Sequence, residues 1–213
     1  MSLDVAVLDA APEPWAAVPT LRFRLQVTES SGEPVHALAL QCQIRIEPQR
    51  RGYTDAEQTR LLDLFGRPEQ WATTRKPFPW THEWLVIPSF TGVTEVDLHV
   101  ACTYDLEVVA TKFLHALDDG EVPLLLLFAG TMFTRGQTGF SVQRISWDLE
   151  ARHQLPVHAW HELMDHYFPN SGWLRLDRSI LQRLQQFKAR HGLTTWEQTV
   201  QRLLEDADDQ VAP

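Results

Sequence analysis

Two stretches of strict alternation constrain this chain more than any other feature. Between residues 21 and 28, Leu21, Phe23, Leu25 and Val27 alternate with Arg22, Arg24, Gln26 and Thr28. Between residues 38 and 46, Leu38, Leu40, Cys42, Ile44 and Ile46 alternate with Ala39, Gln41, Gln43 and Arg45. A period of two places every apolar side chain of such a run on one face of an extended strand. Each run is therefore a β-strand with one dry and one wet face, and the dry face needs an apolar layer laid against it. The polar turn Glu29-Ser-Ser-Gly-Glu-Pro34 between them predicts that the two strands pair as an antiparallel hairpin.

The rest of the chain supplies that layer. Residues 1–19 hold Pro12, Pro14 and Pro19 and little periodicity, and they read as an extended N-terminal arm. Thr54-x-x-Glu57 has capping-box spacing ahead of Leu61, Leu62, Leu64 and Phe65, so a short helix is inserted after the second strand. Strands are expected at 83–88 and 93–102, joined by Thr91-Gly92, and a helix at 104–117. Val122 to Phe133 is apolar on both parities and reads as a central strand. Phe140 to Trp147 follows the turn Arg135–Gly139, with a bulge near Gln143 where the inward parity changes. Helical stripes then run from Trp160 to Phe168, from Ile180 to Phe187 and from Trp196 to Leu204, the last opened by Thr194-x-x-Glu197. The expected fold is α+β: a mostly antiparallel sheet or sandwich of about six strands, with an inserted helix and a C-terminal helical segment. Its organisation is an arm at 1–19, a β-rich core at 20–150 and helices at 151–213 packed on that core as a single domain.

Charge and motif content remove several function classes. Lys and Arg total 19 against 28 Asp and Glu, a net charge of −9, with no basic run to track a phosphate backbone, so nucleic acid is not an expected partner. No stretch is long and apolar enough to span a bilayer, and the acidic N-terminus is not a secretory signal, which predicts a cytoplasmic protein without membrane insertion. Cys42 and Cys102 each lie in an alternating apolar run and read as reduced core thiols; a disulfide would require adjoining strands. There is no GxSxG elbow and no Gly-Lys-Ser/Thr, and Gly130, Gly136 and Gly139 read as turn glycines. Asp118-Asp119 and Asp208-Asp209 look like solvated punctuation. No catalytic residue and no cofactor is predicted.

Three constellations remain. His158, His161, Glu162 and Asp165 share one third of a helix circumference, and imidazoles with carboxylates at i, i+4 and i+7 could ligate zinc or iron. The spacing is not HExxH, and an amphipathic helix needs a polar face in any case, so a solvated face is the expectation and a metal-binding protein or metal-dependent enzyme the alternative. Arg22, Arg24, Gln41, Gln43 and Arg45 would share the wet side of the hairpin as a positive strip fit to dock an acidic partner. The segment 67–81, with three prolines, Trp71 and Trp80, is a second candidate contact surface, because exposed aromatics anchor interfaces. A small-ligand cavity between two sheets is the third alternative.

Several runs are shared with a known family: Pro77-Phe-Pro-Trp-Thr81, Cys102-Thr-Tyr-Asp105, Pro123-Leu-Leu-Leu-Leu-Phe128, Gly130-Thr-Met-Phe-Thr-Arg-Gly136, Tyr167-Phe-Pro169 and Gly172-Trp-Leu-Arg-Leu-Asp177. On these, the segment from Pro77 to Leu204 resembles a bacterial domain-of-unknown-function family associated with gene neighbourhoods of nickel–iron hydrogenases. The resemblance implies an accessory or assembly role with hydrogenase subunits or maturation factors as partners, and it carries over no activity and no site residues. Together with the absent catalytic motifs, it predicts a non-catalytic accessory protein working through protein–protein contacts.

Overall fold

The two alternating runs do become strands, but they do not pair with each other. The structure, a computed structural model, describes residues 3–106, 108–136, 139–172 and 174–211. The chain divides into two compact units, Met1–Trp173 and Leu174–Pro213. The first holds seven strands: β1 (Leu3–Pro12), β2 (Thr20–Glu29), β3 (Val35–Ile46), β4 (Phe78–Ile87), β5 (Val93–Ala101), β6 (Glu121–Gly136) and β7 (Gly139–Pro156). Its helices are α1 (Asp55–Arg60), α2 (Leu62–Phe65), α3 (Trp71–Thr74), α4 (Val109–His115) and α5 (Val157–Tyr167); the second unit consists of α6 (Arg178–Arg190) and α7 (Trp196–Val211). This is the α+β, mostly antiparallel architecture that the pattern predicts.

One sheet has the order β1-β2-β5 and the other β4-β3-β6-β7. Strands β2 and β3 therefore belong to different sheets, and the expected hairpin is replaced by a corner. Glu29 is buried there and accepts from the Ser31 N–H at 3.1 Å, while Val35 and Phe90 exchange backbone bonds of 2.9 and 3.1 Å. The β4–β5 connection crosses between the sheets as well, through Gly92 at φ 72°. Alternation assigns a face to each strand, not a neighbour. With Leu21, Phe23, Leu25 and Val27 on β2 and Leu38, Leu40, Cys42, Ile44 and Ile46 on β3 all fully buried, the two dry faces are opposite walls of one core. Phe23 crosses that core to meet Trp80 of β4 and His153 of β7 edge-on, at 6.4 and 6.1 Å between ring centroids.

The N-terminal segment is also more than an arm. Leu3–Pro12 pairs antiparallel with β2 from Leu3↔Glu29 to Pro12↔Leu21, with a register shift between Val7 and Asp9, and it buries Val5 and Ala10. Pro12 is tolerated because β1 is an edge strand and this residue ends it. Strand β4 begins at Phe78, five residues before the expected start at Glu83, with Pro79 accommodated at the edge beside a register shift between Ile44 and Arg45. Strand β6 is interior as predicted, between β3 and β7. The bulge on β7 falls later than Gln143: Phe128 pairs with Leu149 and Gly130 with Ile145, so the extra residues lie between Ile145 and Leu149. Of the turn at 135–139, Gln137 and Thr138 lie outside the described residues.

Gly130 is not a turn glycine. It sits within β6, opposite Leu40, where a Cβ would collide with the Ala39 carbonyl oxygen and lie 3.0 Å from the Leu40 Cα. The absence of a side chain lets β3 and β6 approach.

The capping box at Thr54 forms as predicted, and its glutamate does more than cap. The Glu57 Oε2 accepts from the Thr54 N–H at 2.9 Å, and the Thr54 Oγ1 accepts from the Glu57 N–H at 3.2 Å. The Oε1 accepts from Arg51 Nη2 at 2.9 Å and from the Asp118 N–H at 3.1 Å. With side-chain exposures of 9% for Arg51 and 2% for Glu57, this is a buried ion pair tying the helical insert to the chain after α4. The C-terminal box forms one residue later than expected: Thr195 Oγ1 accepts from the Gln198 N–H at 3.1 Å, and Gln198 Oε1 accepts from the Thr194 N–H at 3.0 Å.

Two stability predictions arise from these contacts. Glu57→Ala strands a buried guanidinium and is expected to lower unfolding free energy by about 3–5 kcal/mol, with Glu57→Gln milder, in guanidinium titrations of the full chain. Gly130→Ala is expected to cost at least about 3 kcal/mol, the upper end for overpacking, because the obstacle is backbone and cannot rotate away. A change in the midpoint for neither variant would contradict this packing.

Candidate functional site

The positive strip does not exist as one surface. Arg22 and Arg24 lie on the wet face of β2 in the middle of the three-stranded sheet, and Arg45 lies on the wet face of β3 in the other sheet. Because the two sheets turn their dry faces to each other, these arginines face away from one another. Arg24 reaches Asp97 on β5 at 3.6 Å, an exposed pair of little energetic weight. Arg45 is half-buried and donates from Nη2 to the Pro77 carbonyl at 3.4 Å.

The aromatics of segment 67–81 pack inward. Trp71 is 6% exposed, donates its indole N–H to the Gly66 carbonyl at 2.8 Å, and meets Tyr53 and Phe65 edge-on at 5.2 and 5.8 Å. Arg75 stacks over Trp71 and Tyr53, and Arg51 over Tyr53. Trp80 is half-buried and edge-on to Phe23 and Trp160. Neither tryptophan is a free contact. The prolines of this segment start a 3-10 turn, precede β4 and sit at its edge, and they fold the aromatics back onto the core rather than out into water.

On α5, Val157, Ala159, Trp160, Leu163 and Met164 are buried, while His158, Glu162 and Asp165 are exposed and His161 is half-buried. Among the described residues no group of three or more His, Cys, Asp or Glu side chains is placed to hold a metal ion. Sharing a third of the circumference does not make these side chains converge.

What the fold does assemble beside this helix is a pocket of about 310 Å³ lined by Tyr104, Leu106, His115, Asp165, Phe168 and the segment Asn170–Gly172. Asn170 turns the chain here with φ 52°, and the Ser171 N–H donates to the Phe168 carbonyl at 3.2 Å. The Tyr104 hydroxyl lies 3.3 Å from His115 Nδ1, and its ring stacks on Phe168 at 5.4 Å. Burial, with His161 and Arg60 nearby, holds the His115 imidazole below its ordinary pKa; burial and the Asp165 charge raise that of the Tyr104 phenol. The pocket thus presents an imidazole and a phenol, both held toward their uncharged forms, beside the Asp165 side chain, a set that can hydrogen-bond a small polar molecule. Sequence spacing could not show this, because its members come from four separate segments.

The buried thiols are not activated. Burial, with the Glu83 charge adding to it, pushes both Cys42 and Cys102 up to about 12, the direction opposite to that of a reactive cysteine. Cys42 lies on β3 and Cys102 just beyond β5, a strand of the other sheet, and both are free. The sandwich interior contains another unmatched group: His153 Nε2 is buried without a protein hydrogen-bond partner, and desolvation lowers that imidazole's pKa despite Asp9 and Glu121.

The surface feature that sequence reasoning missed is on β4. Its outward row is His82, Trp84 and Val86, and Trp84 and Val86 are 73% and 74% exposed. They lie on an edge strand, beside Gln41 and Ala39 of β3, and His82 Nε2 is 2.9 Å from Gln43 Nε2. The signal was present: Trp84 and Val86 have the parity opposite to Leu85 and Ile87, so an edge strand must leave one pair in water.

Among the described residues no helix is long and apolar enough to cross a membrane. A family model described as a family of unknown function matches residues 1–212. No curated protein matches the chain. Among solved structures, a late embryogenesis abundant (LEA) protein determined in solution aligns at 12% identity over 73% of this chain and 71% of that one, with a TM-score of 0.34. A β-glucosidase from Kluyveromyces marxianus aligns at 7% identity over 73% of this chain but 15% of its own length, with a TM-score of 0.26. At these scores neither likeness bears on fold or chemistry.

The two depressed imidazoles make stability depend on pH. The unfolded chain takes up protons on its histidines as pH falls below about 6.5, while native His115 and His153 resist them. Their contribution is therefore complete above about pH 6.5 and declines as pH falls toward the native values. The double variant His115→Asn/His153→Asn is expected to flatten this dependence in urea titrations below about pH 6.5. An unchanged slope would remove both histidines from the account.

Proposed function

The chain belongs to DUF6084, a family of unknown function, and we propose from its own surface that it is a non-catalytic protein-binding module that docks a partner on strand β4. The observation that carries this is the exposure of Trp84 and Val86 side by side on an edge strand. Covering two such side chains is worth about 1.5–3 kcal/mol each, and a Trp with an apolar neighbour is the usual composition of an interface anchor. The free edge of β4 adds unpaired backbone groups, so an incoming extended segment gains hydrogen bonds along with the apolar contact. The two free buried thiols support a reducing, cytoplasmic setting. The partner class favoured by the sequence resemblance is a subunit or maturation factor of a nickel–iron hydrogenase, to which this chain would be an accessory.

Affinity purification from the native host tests both parts. The wild-type chain is expected to bring down a partner in fixed stoichiometry, and Trp84→Ala/Val86→Ala to weaken that binding at least about tenfold with an unchanged circular-dichroism spectrum. Arg24→Ala serves as the control and is expected to bind as wild type. Retention of the partner by the double variant would sink the β4 surface, and a stoichiometric partner unrelated to hydrogenases would sink the finer assignment.

A further inference from the structure

Within the C-terminal unit, Leu174–Pro213, α6 and α7 do not bury their apolar stripes against each other. On α6 the stripe is Ile180, Leu181, Leu184 and Phe187, and on α7 it is Trp196, Val200, Leu203 and Leu204, both at helical spacing. Ile180, Leu181, Trp196, Val200 and Leu204 are all exposed, between 38% and 56%. Thr199 is the single buried residue among those described in this unit. Two helices of this length bury too little between them to be stable alone. Between them runs a groove of about 440 Å³ with Ile180, Leu184, Phe187 and Leu203 along it and Arg183, Gln186 and Arg190 at its rim.

The charges of the two helices are complementary. Helix α6 carries Arg178, Arg183, Lys188 and Arg190 and no acidic residue. Helix α7 carries Glu197, Glu205, Asp206, Asp208 and Asp209 against Arg202 alone. Among the described residues no ion pair joins α6 to α7 of the same chain. Among the described residues the one ion pair in this unit is Arg202–Asp206 at 3.0 Å, inside α7, while Lys188 lies over the Trp196 ring at 5.9 Å and Arg190 donates to the Gln186 carbonyl. A groove with an apolar floor and an arginine rim fits an acidic amphipathic helix. The chain contains one: Leu203 and Leu204 beside Glu205, Asp206 and Asp208.

We propose that this chain forms a homodimer through its C-terminal unit, with α6 of each copy laid against α7 of the other in a four-helix bundle. A two-fold axis makes the contact reciprocal, so every basic-to-acidic apposition occurs twice and both apolar stripes are covered at once. The packing is that of antiparallel bundles, with the stripes at the seam and the charges flanking it.

Sedimentation of the full chain tests this with paired charge reversals. Arg183→Glu/Arg190→Glu cancels the net charge of α6 and sets carboxylates against Glu205 and Asp208 of the other copy, and Glu205→Lys/Asp208→Lys cancels that of α7 and sets ammonium groups against Arg183 and Arg190. Wild type is expected to sediment as a dimer, each variant alone as a monomer, and an equimolar mixture of the two as a heterodimer, with at least about tenfold weaker self-association of each variant. Should either reversal lose helicity by circular dichroism, Arg183→Gln/Arg190→Gln removes the charge without like-charge repulsion and is expected to weaken the dimer in the same direction. A wild-type chain that stays monomeric up to about 100 µM overturns the proposal. So does a dimer that survives both reversals, or a mixture that fails to recombine. Trp84→Ala/Val86→Ala is expected to remain dimeric, and a monomer there would instead move the self-contact to β4.

Discussion

Two sheets, each with one largely apolar face, have a single inexpensive arrangement in water. Leu21, Phe23, Leu25 and Val27 on one side and Leu38, Leu40, Cys42, Ile44 and Ile46 on the other are fully buried. At about 1.5–3 kcal/mol for each large side chain, exposing either row would exceed the net stability of an ordinary domain. The chain therefore has to change sheets between β2 and β3, and the corner at Glu29 is where it does so. Everything on the wet faces follows from that crossing. Arg22 and Arg24 are carried to one side of the molecule and Arg45 to the other, and the outer row of β4 is placed where nothing in the four-stranded sheet covers it.

The helical insert between β3 and β4 depends on a different contact. Glu57 binds the first turn of α1, the Arg51 Nη2 and the Asp118 N–H with one carboxylate. Around it, Tyr53, Phe65, Trp71 and Phe113 meet edge-on, and Arg51 and Arg75 lie over the Tyr53 ring. Polar and aromatic parts reinforce each other here: the rings exclude water from the ion pair, and the ion pair fixes the loop that carries the rings. A loop rich in tryptophan and proline is thereby a piece of core.

What could be read from the sequence was local. The Thr54–Glu57 box, the α5 stripe and the interior position of β6 all rest on neighbours within a few residues, and the structure contains them. Partners distant in sequence were not legible. Period two says that Arg24 and Arg45 point away from apolar faces, and it is silent on whether those faces lie side by side or face to face. The same limit governs tryptophan: Trp71 and Trp84 are equally apolar as letters, and only the topology makes one a core ring and the other an exposed one. The pocket of Tyr104, His115 and Asp165 is the extreme case, because no periodicity links a loop, the end of α4 and the last turn of α5.

Net charge sets the terms on which this molecule meets others. At −9, two copies repel at long range, and any contact between them has to overcome that field locally. Helix α6 is the segment where the sign reverses, with four cations and no anion across thirteen residues. Over distances within a Debye length of about 8 Å, a basic helix against an acidic one outweighs the diffuse repulsion of the remaining charges, which salt largely screens. Apolar area without such a pattern would accept many partners; the charge asymmetry between α6 and α7 discriminates against parallel alignments of like helices. The exposed row of β4 has no comparable charge code, since Trp84 and Val86 are flanked by glutamine, alanine and histidine. Its selectivity would have to come from shape and from the hydrogen-bonding register of the strand edge, a different physical basis from that of the helical pair.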